Sequence, residues 1–88
     1  MEILSMITID CSGIQNKDQL HCLLAKELEF PEYYGHNLDA LFDCLTDICV
    51  PTDIRLLGWH ALGDWKEGFQ NVFINASLEN PDLDILFA

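Results

Sequence analysis

Three short apolar segments, separated by stretches long enough to be helices, constrain the fold of this chain more than any other feature. Residues 6–10 (MITID), with an alternative start at Ile3, and residues 54–57 (IRLL) have the composition of strands, and apolar side chains alternate over residues 82–87. Strands joined by helical crossovers pair in parallel. The sequence therefore predicts one α/β domain over residues 1–88, a small three-stranded parallel sheet packed with three to four helices. An α+β arrangement with one antiparallel strand is the alternative.

Local signals place a first helix after the first strand. Asn16 and Gln19 have the spacing of a capping box, which satisfies free backbone N–H groups at a helix start. The apolar face of this helix carries leucines at helical spacing, namely Leu20, Leu23, Leu24 and Leu28. Pro31 is predicted to end the helix, because the residue before a proline disfavours the helical region.

A second helix is predicted from the N-cap Asn37 to about Asp47, and a third over residues 64–78. The third helix is expected to bury one apolar face and to end at the Asn80-Pro81 dipeptide. That face consists of Trp65, Phe69, Val72, Phe73 and Ala76. We interpret Trp59 and Trp65 as core residues rather than as residues that stack on a ligand.

Acidic residues dominate the charged positions: fifteen Asp and Glu face four Lys and Arg, which gives a net charge of −11. Such a surface repels nucleic acid and anionic membranes and attracts basic partners, although solubility alone is the simpler interpretation. No apolar run approaches the ~20 residues that span a bilayer. Residues 1–5 (MEILS) lack the basic start of a signal peptide. We therefore expect a soluble protein in the cytoplasm, without contact to nucleic acid or membrane. We also expect a monomer, although the sequence carries no signal about self-association.

The cysteines do not form a recognisable motif. Cys11, Cys22, Cys44 and Cys49 include no CxxC pair, so neither a zinc knuckle nor a thioredoxin-like site is supported. We expect all four to be reduced, because free cysteine packs as a small hydrophobe and disulfides are rare in the cytosol. Cys44 and Cys22 are predicted to line helix faces.

Other chemistry-bearing residues are scattered, and no metal, cofactor or enzymatic activity is expected. His21, His36 and His60 have no metal-ligand spacing; His21 is interpreted as a satisfied helix residue, and His36 as a candidate partner contact. Asp82 and Asp84 are expected on one solvent-exposed strand face rather than around a metal. Phosphate-binding glycine loops and GxSxG are absent from the sequence.

The second helix carries the functional information. At ~100° per residue, one stripe is apolar and is predicted to face the core: Leu41, Cys44, Leu45 and Ile48. A second stripe is acidic: Asp39, Asp43 and Asp47. Leu38, Phe42 and Thr46 fall between the two, which places a large aromatic ring beside the carboxylates.

Nothing local neutralises the acidic stripe. Neighbouring carboxylates four residues apart repel each other by a few tenths of a kcal/mol, and no Lys or Arg lies between Glu27 and Asp53. A solvated helix face is the simpler interpretation. However, Tyr33, Tyr34 and Phe42 add large contact area beside the charges, a combination typical of tight interfaces. The pattern therefore favours an external cation, supplied by a binding partner.

Residues 31–46, PEYYGHNLDALFDCLT, resemble the loop and helix of the barstar family, bacterial intracellular inhibitors of the ribonuclease barnase. The similarity continues without gaps back through Leu20-His21 to the first strand. The second half is looser but keeps Trp59 and the pair Val72-Phe73. The resemblance implies a three-stranded parallel sheet with helices, and it implies that the second helix and its preceding loop bind a basic, barnase-like ribonuclease in a 1:1 complex.

The resemblance also implies which residues make the contacts. They are Tyr33, Tyr34, Gly35, Asn37, Leu38, Asp39, Phe42, Asp43, Thr46 and, in the last helix, Asn75. In this family the counterpart of Asp43 enters the phosphate-binding site of the nuclease. A carboxylate can stand in for a phosphate there, because it accepts bidentate hydrogen bonds from arginine. The barstar complex is itself a standard example of a charged hot spot and of steered association.

Several positions depart from the family pattern. Phe42 stands where barstar has tryptophan, Asp47 and Ile48 replace a glycine and a tryptophan, and Asn75 replaces an acidic residue. The connection after Trp59 is also shorter, so that a small helix is expected to be lost. These departures concern the identity of the target more than the fold.

Three functions remain open at this level. The first is a stoichiometric ribonuclease inhibitor, and the second is an acidic interaction module with a basic partner that is not a nuclease. The third, a small enzyme using Asp39 or Asp43 as acid or base, lacks a second group of matched chemistry nearby. The inhibitor accounts for the most residues.

Overall fold

The computed structural model describes residues 5–88, so the alternative strand start at Ile3 lies outside the described residues. Its elements follow the predicted order. They are β1 (Ser5–Asp10), α1 (Lys17–Glu27), α2 (Leu38–Thr46), β2 (Thr52–Leu57), a 3-10 turn (Trp59–Ala61), α3 (Lys66–Glu79) and β3 (Leu83–Phe87). The third helix begins at Lys66, two residues later than predicted. In the connection where we expected the loss of a small helix, a 3-10 turn of three residues begins at Trp59.

The three strands form one sheet in the order β1-β2-β3, and both pairs are parallel. The prediction of a parallel α/β sheet is confirmed, and the alternative with an antiparallel strand is wrong. Register aligns Ile7, Ile54 and Ile85 in one row. Because side chains alternate between the two faces of a sheet, this row faces the helices. The row two residues further along each strand, Ile9, Leu56 and Phe87, faces them as well. The opposite face carries the Arg55–Asp53 ion pair, at 3.5 Å, and the exposed Met6 and Leu86.

The core lies between that sheet face and the three helices. Each helix contributes fully buried side chains at helical spacing, among them Leu20 and Leu24, Leu41 and Leu45, and Phe69, Phe73 and Ala76. Trp59 is fully buried as well, and its indole N–H donates to Gln70 Oε1 at 3.0 Å. Each large buried side chain contributes roughly 1.5–3 kcal/mol. The apolar faces predicted for all three helices are confirmed.

Side-chain and backbone caps fix the ends of α1. Asn16 Oδ1 accepts from the Gln19 backbone N–H at 2.9 Å, as the capping spacing predicts, while Gln19 Oε1 accepts from the Gln15 N–H at 2.7 Å. The helix ends at Glu27, four residues before Pro31, so Pro31 is not the residue that ends it. The turn that follows contains Glu29, whose φ is 55°. The Phe30 N–H donates to the Ala25 carbonyl at 2.9 Å, which is the bond of a Schellman motif.

The cysteines are all free, but their positions differ from the prediction in part. Cys44 is half-buried on α2 as expected, whereas Cys22 is exposed because it falls on the outer side of α1. Cys11, after β1, is fully buried. Burial, reinforced by Asp10, raises the pKa of the Cys11 thiol to about 11. Over residues 5–88, no helix combines the length and the apolar character needed to cross a bilayer.

Candidate partner-binding surface

Asn37 joins the loop after α1 to the start of α2. Its Oδ1 accepts from the Ala40 N–H at 2.8 Å, and its Nδ2 donates to the Gly35 carbonyl at 3.2 Å. A Cβ on Gly35 would lie only 2.8 Å from Asn37 Nδ2, so a side chain at residue 35 would disturb this clamp. The predicted N-cap is confirmed, and it holds the loop rigidly against the helix.

The faces of α2 are those that the sequence predicts. Leu41 and Leu45 are buried. The acidic stripe is exposed and consists of Asp39, Asp43 and Asp47, while Leu38, Phe42 and Thr46 are half-buried beside it. Within residues 5–88, the one ion pair joins Arg55 and Asp53 on the far side of the sheet. The acidic stripe therefore has no cation of its own among the described residues.

The two tyrosines of the loop have different environments. Tyr33 is 88% exposed, but Tyr34 is only 6% exposed and packs on Phe30, with ring centroids 4.9 Å apart. The expectation that the Tyr34 side chain offers a large exposed area to a partner is therefore wrong for the free protein. The Tyr34 side chain can be buried because its hydroxyl has a hydrogen-bonding group inside the fold: it lies 2.6 Å from Nδ1 of the buried His21. Tyr34 supports the loop from below and leaves Tyr33 to project from it.

Both members of this buried pair are kept neutral. Burial lowers the pKa of His21, the nearby His36 lowers it further, and Asp18 opposes them. Burial also raises the pKa of Tyr34, with Cys44 adding to the effect. A neutral imidazole and a neutral phenol share one hydrogen bond without an unpaired charge. The interpretation of His21 as a satisfied helix residue is confirmed, and His36 lies exposed in the loop.

The remaining predicted contacts flank the acidic stripe. Thr46 Oγ1 donates to the Phe42 carbonyl at 2.9 Å, so its hydroxyl oxygen stays able to accept. Asn75 is exposed on α3, seven residues after Gly68 and so on the same helix face. A Cβ on Gly68 would lie 2.9 Å from Leu38 Cδ1, which shows how closely α3 approaches α2 along this face. Asn75 thus belongs to the side of α3 that borders α2.

Two features of this region were not predicted from the sequence. A groove of about 550 Å³ separates the end of α1 and its following loop from α2. In addition, the Asn80 side chain caps the end of α2: its Nδ2 donates to the carbonyls of Ile48 at 2.8 Å and Leu45 at 3.1 Å. The sequence marked Asn80 only as the end of α3. Within residues 5–88, no three His, Cys, Asp or Glu side chains cluster closely enough to hold a metal ion.

Comparison with known proteins identifies the family. A family model described as "Barstar (barnase inhibitor)" matches residues 4–76, most of the chain. This chain belongs to the barstar family. A curated relative, the "Putative ribonuclease inhibitor YrdF" of Bacillus subtilis (strain 168), is 55% identical over 40 residues, which cover 46% of this chain and 44% of that protein. The matched stretch thus spans less than half the length of this relative.

Four residues of this barstar-family chain depart from the family pattern. They lie on α2, directly after it, or on the side of α3 that borders it. Phe42 is half-buried next to the acidic stripe, and Asp47 caps the C-terminus of α2. Ile48 follows it at the edge of the groove, and Asn75 is exposed on α3. Of these four residues, Phe42 and Ile48 also pack against the core, whereas Asp47 and Asn75 are exposed.

Proposed function

We propose that this protein is a stoichiometric inhibitor of a basic, barnase-like ribonuclease, and that α2 with its preceding loop covers the active site of the enzyme. The observation that carries the proposal is the exposed row of Asp39, Asp43 and Asp47, which has no cation among the described residues and lies beside the exposed Tyr33. Membership of the family described as barstar supports the choice of a ribonuclease as the partner.

Asp43 is the central contact in this proposal. A ribonuclease holds basic side chains where the phosphates of RNA bind, and the Asp43 carboxylate offers the same acceptor geometry to an arginine fork. The carboxylate projects from a helix whose start is fixed by Asn37, so little freedom is lost on binding. The net charge of −11 accelerates encounter with a basic enzyme, and added salt slows it.

The other residues divide into contacts and supports. Tyr33, Leu38 and Phe42 supply apolar area around the carboxylates, while Asp39, Thr46 and Asn75 supply polar groups at the borders. Gly35 and Asn37 hold the loop at the helix start, and Tyr34 fixes the loop from inside through His21. The surface thus offers hydrogen-bond acceptors and apolar area to a basic partner.

The proposal is tested by titrating the protein into barnase during fluorogenic RNA cleavage, at low and high salt. We expect cleavage to stop at a 1:1 ratio. Replacement of Asp43 by Ala is expected to cost well over ~2 kcal/mol of binding, as central charged hot spots do. The matched control is Asp84→Ala, which removes an exposed carboxylate from the sheet face remote from α2. A loss below ~1 kcal/mol for Asp43→Ala would contradict its assigned role.

A second candidate is a basic partner that is not a nuclease, bound through the same face. The departures at Phe42, Asp47, Ile48 and Asn75 favour it, because they change the contact surface without changing the fold. Absence of inhibition up to a large excess of protein, with binding to a different basic protein abolished by Asp43→Ala, would support this candidate.

We also propose that the protein acts as a monomer in the cytoplasm. Cys22 and Cys49 are free and exposed, a state that a reducing compartment maintains. Sedimentation of the protein with and without its partner tests the monomer and the 1:1 complex.

A further inference from the structure

The two helices of the candidate partner-binding surface contact each other near both of their ends. Near the helix starts, a Cβ on Gly68 of α3 would lie 2.9 Å from Leu38 Cδ1 of α2. Near the helix ends, the side chain of Asn80 bridges the two, because its Nδ2 donates to the carbonyls of Ile48 at 2.8 Å and Leu45 at 3.1 Å. Asn80 is also the C-cap of α3. One side chain therefore joins the ends of α2 and α3.

The last turn of α2 lacks support from within the helix. The last carbonyls of a helix have no intrahelical partner, and this last turn contains no basic residue that could bind them. Its C-cap, Asp47, places a carboxylate where the helix dipole is already negative. With nine residues, α2 is also short, and short helices depend on tertiary contacts. This end of α2 therefore depends on the donor that Asn80 supplies.

The groups around the Asn80 side chain match a primary amide. Its Oδ1 accepts from the Asp82 N–H at 3.0 Å, and a backbone N–H can only donate. Its Nδ2 faces the carbonyls of Leu45, Ile48 and, at 3.4 Å, Thr46, which can only accept. A carboxylate would turn an oxygen towards these carbonyls, and an aliphatic side chain would offer them no donor. Because Asn80 is only 7% exposed, it can act on a partner only through α2.

The part of α2 that Asn80 holds carries predicted partner contacts. Asp43 and Thr46 lie in the second half of the helix, and the Asp43 carbonyl accepts from the Asp47 N–H at 3.1 Å in the same turn. Asn75 is exposed on α3, five residues before Asn80. Movement of the last turn of α2 would therefore shift the Asp43 carboxylate relative to Asn75.

We propose that Asn80 is a positioning residue for partner binding, which fixes the C-terminal half of α2 against α3 in the free protein. The identity of the partner rests on the proposed function, whereas the positioning of α2 does not. A surface that is already ordered loses less conformational freedom when it binds. Without the bonds from Asn80, the partner would have to order the last turn of α2 as it binds, and the complex would be weaker.

Asn80→Ser separates the contact with α2 from the turn that leads into β3. A serine hydroxyl can still accept from the Asp82 N–H, as serine does in such turns, but it is too short to reach the carbonyls of α2. Ile9→Val and Ile9→Ala are the matched controls, because Ile9 is buried on β1 and its truncation lowers stability without removing a hydrogen bond of α2. Urea unfolding identifies the control whose stability is closest to that of Asn80→Ser.

Amide hydrogen exchange of the free protein, followed by NMR, tests the positioning without a partner. The N–H groups of Asp47 and Ile48 close the last turn of α2. The Leu41 N–H donates to the Asn37 carbonyl at the start of the same helix. Asn80→Ser should accelerate exchange at Asp47 and Ile48 about fivefold or more relative to Leu41, as expected for loss of one hydrogen bond. Equal acceleration at the two ends of α2 would indicate loss of global stability alone and would overturn the proposal.

Inhibition of barnase then tests the consequence for binding. Asn80→Ser should raise the inhibition constant about threefold to tenfold, while the Ile9 control of matching stability should inhibit like the unmodified protein. Equal inhibition by Asn80→Ser and the unmodified protein would overturn the role in binding. If the unmodified protein does not inhibit barnase, the proposed function is rejected, and the exchange experiment still decides whether Asn80 positions α2. If Asn80→Ser does not fold, Asn80→Gln, whose longer amide displaces the donor, takes its place in both experiments.

Discussion

Asn80 connects the end of α3 and the start of β3 to the candidate partner-binding surface. Its side chain is 7% exposed, and Nδ2 donates to the carbonyls of Ile48 at 2.8 Å and Leu45 at 3.1 Å. Its Oδ1 accepts from the Asp82 N–H at 3.0 Å. The last carbonyls of a helix have no partner within the helix, so Asn80 satisfies the end of α2 from a position more than thirty residues later in the chain.

Replacement of Asn80 by Ala removes these three hydrogen bonds and the longer one from Nδ2 to the Thr46 carbonyl, at 3.4 Å. A net contribution of about 1 kcal/mol for each of the three shorter bonds gives a destabilisation of about 3 kcal/mol, with further loss where the carbonyls stay dry. For a domain of this size the unfolding free energy falls by about 1 kcal/mol per molar urea, so the midpoint should decrease by about 3 M. Asn80→Asp should be at least as harmful, because its carboxylate would oppose the carbonyls.

Urea unfolding followed by tryptophan fluorescence measures this loss. Asn75→Ala is the matched control, since Asn75 is exposed on α3, the helix that Asn80 follows, and should change stability by no more than ~0.5 kcal/mol. If Asn80→Ala cost less than about 1 kcal/mol, the carbonyls at the end of α2 would be satisfied by water, and the role assigned to Asn80 would be refuted.

Two further predictions concern the α1–α2 region. Glu29→Gly should raise stability by about 1 kcal/mol in urea unfolding, because Glu29 has a φ of 55°, a conformation that glycine adopts without strain; Glu27→Gly, inside α1, should do the opposite. The pKa of His21 is lowered in the folded state, so the unfolded chain takes up a proton first as the pH falls. Stability should therefore decrease below about pH 6.5 relative to a His21→Gln variant, and identical pH profiles for the two proteins would contradict this.

The order and type of the elements could be predicted from the sequence because they depend on local chemistry. The spacing of leucines in α1, the caps Asn16 and Asn37, and the alternation in β3 are each read from neighbouring residues. The acidic stripe of α2 was predictable for the same reason, since residues four apart share a helix face. Parallel pairing was favoured because helical crossovers separate the strands, although an arrangement with one antiparallel strand stayed open.

The predictions failed where a side chain depends on distant parts of the chain. Two adjacent tyrosines gave no local sign that Tyr34 would be buried on His21 while Tyr33 projects into solvent. Cys22 was placed on a helix face that turned out to be the exposed one. α3 begins at Lys66 rather than at residue 64, because Trp65 is its N-cap.

The sequence by itself determined the α/β architecture, the helix that carries the acidic stripe, and the net charge of −11, because periodicity, caps and charge act over a few residues or over the whole surface. Only the tertiary structure decided which aromatic side chain is available to a partner, where the groove lies, and how Asn80 completes α2. These features depend on packing between segments separated in the chain, and such packing sets burial and hydrogen-bond partners that no local pattern specifies.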